Sequence, residues 1–149
     1  MDFQIGEFME YTKRRNLNRG FMKLEVWRRG MDLFKMVFRL GCHVSDFKLK
    51  SQFMDAAQSV PANVAEGYGR RTLPEYIQFL YTAKGSLAKT FTRAAGLWVV
   101  GLMNDTQFEE FDLLHYEVEN KLLGLIQSVE AKRGTDQWFD SLPINPVIH

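Results

Sequence analysis

The chain has 149 residues, 46% of them hydrophobic and 25% charged, with a formal net charge of +1. That length is about one domain, and folding at this size hides roughly two-thirds of the unfolded surface, so a core forms without disulfide or metal staples. The composition excludes a disordered chain and a histone-like blanket of positive charge, while a local basic patch depends on how charge is distributed.

Residues 1–22 are mixed, with a basic cluster at Lys13, Arg14, Arg15 and Arg19 and a helix-like spacing of Phe3, Ile5, Phe8 and Met9. They are read as a poorly ordered extension. The first strong helix is predicted over about 24–42. Its polar residues Arg28, Asp32, Lys35 and Arg39 recur at i, i+4, i+7 and i+11, one narrow solvated stripe. Val26, Trp27, Met31, Leu33, Phe34, Met36, Val37, Phe38 and Leu40 make the rest apolar, more than one core-facing stripe needs. Self-association through Trp27, Met31, Phe34 and Phe38 is therefore expected.

The second helix is predicted over 47–67, with Leu49, Phe53, Ala56, Val60 and Val64 as its buried stripe. Pro61 lies inside it and removes one backbone hydrogen bond, yet the stripe stays in phase, so a kinked helix is expected in place of two. Gly67 and Gly69 are read as its stop. Ser59, Asn63 and Glu66 follow at i, i+4 and i+7, either as a solvated face or as a buried network in which Ser59 or Asn63 serves the carbonyl that Pro61 frees.

The third helix is predicted over 73–102, opened by a Thr72–Glu75 capping box with Pro74 in the first turn. Its buried stripe runs Tyr76, Leu80, Ala83, Leu87, Phe91, Ala94, Trp98 and Gly101. The fourth is predicted over 106–131, with Thr106 and Glu109 as a second box and Phe111, Leu114, Val118, Leu122, Leu125 and Val129 facing inward. Short connections favour antiparallel neighbours, so the expected fold is an all-α, up-down-up-down four-helix bundle spanning 23–133. The tail, 134–149, carries Pro143 and Pro146 among Trp138, Phe139, Leu142, Ile144, Val147 and Ile148. It is expected to dock on its own bundle or on a neighbour's.

The residues that carry chemistry are sparse. Cys42, His43, His115 and His149 hold no metal-ligand spacing, and Asp112 with His115 gives one Asp-x-x-His and no second copy. His115 is read as an edge-of-core residue. Cys42 has no base placed to activate it. The Gly67-Tyr68-Gly69 turn follows a helix and lacks the third glycine of a dinucleotide fingerprint. No cofactor, no metal and no catalytic activity are expected. A lone cysteine fits a reducing compartment, no apolar run approaches the ~18 residues of a span, and the start lacks a signal peptide's basic and apolar regions. A cytoplasmic location without membrane contact follows as the expectation.

Charge is segregated. Arg70, Arg71, Lys84, Lys89 and Arg93 face only Glu75 over 70–93, whereas 105–120 holds Asp105, Glu109, Glu110, Asp112, Glu117 and Glu119 with no base. The plainer reading is attraction between the third and fourth helices. The other is a basic surface for phosphates, with Tyr68 stacking on a base.

From Ser51-Gln52 through Ala56-Ala57, Ser59-Val60-Pro61-Ala62-Asn63-Val64-Ala65-Glu66-Gly67, Gly69-Arg70-Arg71, Glu75-Tyr76-Ile77-Gln78-Phe79-Leu80 and Gly85-Ser86-Leu87, the chain resembles a family of four-helix-bundle proteins. These proteins are encoded within intervening sequences of bacterial 23S ribosomal RNA genes. Val26-Trp27 and Leu33 resemble that family's opening helix, and the likeness covers about 24–131. It implies a bundle assembling into a ring, commonly a pentamer, with a poorly defined role. A relative in diversity-generating retroelements binds RNA and protein through a basic surface, which by analogy makes RNA, DNA or another protein the expected partner. The sequence departs from that pattern in two places: Met54 and Asp55 stand where family members usually carry a basic pair, which thins the surface, and Lys89 replaces the usual acid after Gly85-Ser86-Leu87-Ala88. Two readings stand, a nucleic-acid-binding oligomer and a scaffolding oligomer that binds protein alone.

Overall fold

The structure, a computed structural model, describes residues 20–133. The extension up to Arg19 and the tail from Gly134, with its expected docking, lie outside the described residues. A 3₁₀ turn, Gly20–Lys23, leads into four helices: α1 Glu25–Gly41, α2 Phe47–Tyr68, α3 Leu73–Val99 and α4 Asp105–Arg133. No strand occurs among the described residues, and no described helix is long and apolar enough to cross a membrane.

α1 starts after Leu24 without a side-chain cap, whereas the other three helix starts are capped. Asp46 caps α2 by accepting from the Leu49 N–H at 2.9 Å, and Thr72 caps α3 by accepting from the Glu75 N–H at 3.3 Å. For α4 the expected Thr106–Glu109 box is replaced by Asn104 and Gln107. The Gln107 N–H donates to Asn104 Oδ1 at 2.7 Å and the Asn104 N–H donates to Gln107 Oε1 at 2.9 Å, two orphan donors satisfied reciprocally.

The stops also correct the sequence reading. α3 ends at Val99 because Gly101 adopts φ +84°, the left-handed region. The Leu102 N–H then reaches the Leu97 carbonyl at 2.8 Å and the Gly101 N–H reaches that of Trp98 at 3.1 Å. This is a Schellman stop, so Gly101 belongs to the turn and not to the buried stripe. Gly67 is no stop either. It lies buried inside α2, where an added Cβ would sit 2.8 Å from Phe79 Cβ and 3.3 Å from the Tyr76 carbonyl. It is glycine so that α2 and α3 can approach closely.

Packing runs α1 on α2, α2 on α3, α3 on α4 and α4 back on α1, as a four-helix bundle requires. α2 runs unbroken through Pro61, which is buried against Gly30 of α1, where a Cβ would lie 3.5 Å from Pro61 Cβ. The core is fully closed around Leu33, Val37, Phe53, Val60, Val64, Leu80, Phe111, Val118 and Leu122. Two expected positions are rotated outward on α3. Phe91 and Trp98 are partly exposed, and Thr90 and Leu97 take their places inside. Leu49 of α2 is exposed as well.

Candidate binding surface between the second and third helices

Proline, serine and asparagine on α2 set up the polar part of this seam. Asn63 Nδ2 donates to the Ser59 carbonyl at 2.8 Å and to Ser59 Oγ at 2.9 Å. Ser59 Oγ lies 2.8 Å from Ser86 Oγ on α3, which reaches the Thr82 carbonyl at 3.2 Å. Because Asn63 can only donate from that nitrogen, the Ser59 proton points to Ser86 and the Ser86 proton to Thr82. Ser59 and Asn63 thus form a half-buried hydrogen-bonded network that recruits the buried Ser86. Two details differ from expectation. Asn63 serves the Ser59 carbonyl, not the one at Ala57 that Pro61 frees. Glu66 is exposed and pairs with Arg70 instead.

Beside the network lies an open hollow of about 400 Å³ lined by Gln52, Asp55, Ser59, Ser86, Lys89 and Arg93. Asp55 and Lys89, two of the three positions at which the sequence departs from the pattern it resembles, share this cavity, and Met54 does not line it. Gln52, Asp55 and Ser59 continue the polar line of α2 backward at helical spacing, a signal the sequence offered and that ended too early at Ser59. Arg93 Nε is closed off from solvent and has no hydrogen-bond partner.

The other residues assigned to nucleic acid are scattered. Tyr68 is only 9% exposed, edge-on to Tyr76 with ring centroids 6.1 Å apart, so it cannot stack on a base as expected. Burial also raises its phenol pKa above the ordinary 10.0. Arg70 pairs with Glu66 and lies 4.5 Å above the Phe79 ring, while Arg71 is exposed and also engaged. Lys84 is exposed, 5.7 Å from the Tyr81 ring centroid. Lys84, Lys89 and Arg93 make no ion pair among the described residues.

The ion pairs of α4 turn to α1, not α3. Arg29 donates to both oxygens of Glu117 at 2.8 and 2.9 Å, Arg39 to Glu110 at 3.1 Å and Lys121 to Glu25 at 2.6 Å. Those hydrogen bonds hold the Glu117 and Glu25 carboxyls below their ordinary pKa. The expected attraction between the third and fourth helices is thus made elsewhere, and Tyr81 to Glu130 at 3.2 Å is the modest polar link α3 has to α4 near that end.

The proposed subunit contact on α1 divides. Trp27 is buried in its own chain, edge-on to Phe21 at 5.3 Å, whereas Met31 and Phe34 are half-buried and Phe38 is 55% exposed. Trp27, Met31, Phe34 and Pro61 line a small groove of about 190 Å³. His115 is buried, with Nε2 donating to the Leu87 carbonyl at 2.7 Å between the rings of Phe91 and Phe111. Cys42 is exposed at the end of α1, with Sγ 3.2 Å from the Arg39 carbonyl. No group of side chains able to hold a metal occurs among the described residues.

The sequence model of one family, described as 23S rRNA-intervening sequence protein, matches residues 22–124. No curated protein matches the chain.

Proposed function

Because the chain belongs to the 23S rRNA-intervening sequence protein family, we propose that it is a non-enzymatic, cytoplasmic bundle that assembles with its own copies and binds RNA or DNA. The topology proposed is up-down-up-down. Cross-helix partners support it: Glu25, Arg29 and Arg39 of α1 meet Lys121, Glu117 and Glu110 of α4, numbers that rise on one helix and fall on the other. Gly30 against Pro61 with Gly41 against Phe53, and Ser59 against Ser86 with Gly67 against Phe79, follow the same rule.

The single observation that carries the binding reading is that Lys84, Lys89 and Arg93 of α3, the last two on one face, have no carboxylate partner among the described residues although α4 is rich in acids. Unneutralised cations on one helix attract a phosphate backbone, and copies in a ring such as a pentamer multiply a weak patch through avidity. Filter binding of single-stranded RNA and DNA across a salt series tests this. Affinity should fall steeply with salt, and Lys84→Glu with Lys89→Glu should abolish it; salt-independent binding, or none at low salt, rejects the reading.

The scaffolding reading rests on a different feature, the half-buried Met31 and Phe34 beside the exposed Phe38 on α1. Light scattering decides the assembly itself. A single subunit at micromolar concentration would reject the oligomer, and Phe38→Asp should shift any oligomer toward the monomer.

A further inference from the structure

The hollow between α2 and α3 combines a cavity, an excess of positive charge and a donor without an acceptor. Its volume of about 400 Å³ lies in the range of about 300–1,000 Å³ typical of small-ligand sites. Lys89 and Arg93 stand four residues apart on α3, so both project from one face of the helix. Asp55 is the lone acid lining it, so the two cations leave the cavity with an excess of positive charge. Arg93 Nε, shut away from water, has no acceptor, which buried polar groups rarely lack. A turn of the guanidinium into the hollow would bring Nε to any acceptor lodged there. Ser86 supplies a further donor, because its bond to the Thr82 carbonyl, at 3.2 Å, is the longest link of the network and the easiest to exchange.

We propose that this hollow binds a phosphate group, gripped by the Arg93 guanidinium, the Lys89 ammonium and the Ser86 hydroxyl. Three donors of different kinds on separate bearings suit a tetrahedral anion with three or more acceptor oxygens better than a planar carboxylate with two. Asn63 and Ser59 act behind them, orienting the Ser86 oxygen. The phosphate comes either from a free phosphomonoester or from a nucleic-acid strand; the strand source rests on the function proposed above, and the free source does not.

The test is a titration of the full chain, followed by amide chemical shifts at constant ionic strength, with three probes: inorganic phosphate, adenosine 5′-monophosphate and a short single-stranded RNA. Saturable shifts confined to residues 52–59 and 86–93 are expected with the first two. Arg93→Gln should weaken both by roughly tenfold or more, the scale of losing a charge-assisted hydrogen bond. Asp55→Asn should strengthen them several-fold, a gain no unfolded variant can mimic. Lys84→Gln lies outside the hollow and should leave phosphate binding unchanged while weakening the RNA. Phosphate binding without RNA binding supports the hollow and rejects the nucleic-acid reading. RNA binding with no response to phosphate beyond that given by chloride rejects the hollow and leaves the broader reading standing. Unchanged affinity in both Arg93→Gln and Asp55→Asn also overturns the proposal.

Discussion

The two long seams of α1 with α4 and of α2 with α3 are held by different chemistry. On the first, Arg29, Arg39 and Lys121 are each matched to a carboxylate across the seam, and the charges cancel in pairs at the surface. On the second, no ion pair crosses among the described residues; a glycine lets the backbones close up, and an amide and two hydroxyls bridge the middle. The difference teaches where an anion can be received. A seam that uses its cations internally presents a nearly neutral face, whereas one closed by small and hydroxyl side chains leaves Lys89 and Arg93 unmatched beside a cavity. The field that could recruit a phosphate lies on the side where cohesion does not depend on charge.

The largest expected effect breaks the second seam at its tightest point. Gly67→Val pushes a side chain into Phe79 and Tyr76 and should lower stability by about 1–3 kcal/mol, read as a lower denaturant midpoint at unchanged slope. An unaltered midpoint would mean that α2 and α3 are not closely packed there. Next comes the polar bridge. Asn63→Ala removes two hydrogen bonds and leaves Ser59 Oγ without its donor, for about 1–2 kcal/mol. A double-mutant cycle with Ser86→Ala should show coupling of about 0.5 kcal/mol or more, because both act through Ser59; strict additivity would dissolve the network.

The first seam was more legible than the second. Apolar steps of three and four placed the helices, and Phe111, Val118, Leu122 and Val129 are buried as the spacing predicts. Errors came where two neighbouring residues compete for one inward position. Aromatic bulk favoured Phe91 and Trp98, yet Thr90 is the buried one because its hydroxyl donates to the Ser86 carbonyl at 2.7 Å and leaves no polar group unsatisfied. Phe91 and Trp98 instead pack with Phe108 at the edge, and the Trp98 indole stacks on it at 4.4 Å. The hollow was not legible, since it depends on the register between two helices, which no single-helix period contains. Tyr68 failed for a related reason: composition marks a tyrosine as able to stack, and only packing reveals that the ring is buried against Tyr76.

A smaller effect, of opposite sign, contrasts two glycines that flank the second seam. Gly85 lies exposed in mid-α3 with nothing within 4 Å of an added Cβ. Gly85→Ala should therefore stabilise by about 0.5–1 kcal/mol, through helix propensity and a less flexible unfolded chain. A loss of stability would show that this surface of α3 is covered by another chain, and the dependence of the midpoint on protein concentration would reveal it.

The smallest effect concerns the charge-matched seam and is set by pH. The Arg29 hydrogen bond lowers the Glu117 pKa in the folded chain below the ordinary 4.5. The folded state therefore binds fewer protons than the unfolded one in the window between the two values, and stability is lost there as the pH is lowered. The contribution is complete above about pH 4.5 and vanishes once the pH drops below the folded value. Both side chains are more than a third exposed, so solvent limits it to roughly 0.2–1 kcal/mol. Glu117→Gln should cost that amount at pH 7, shrink in high salt, and converge with the unmodified chain in acid. The phosphate response of the α2–α3 hollow should survive this substitution at neutral pH, because the two seams carry their charges for different ends.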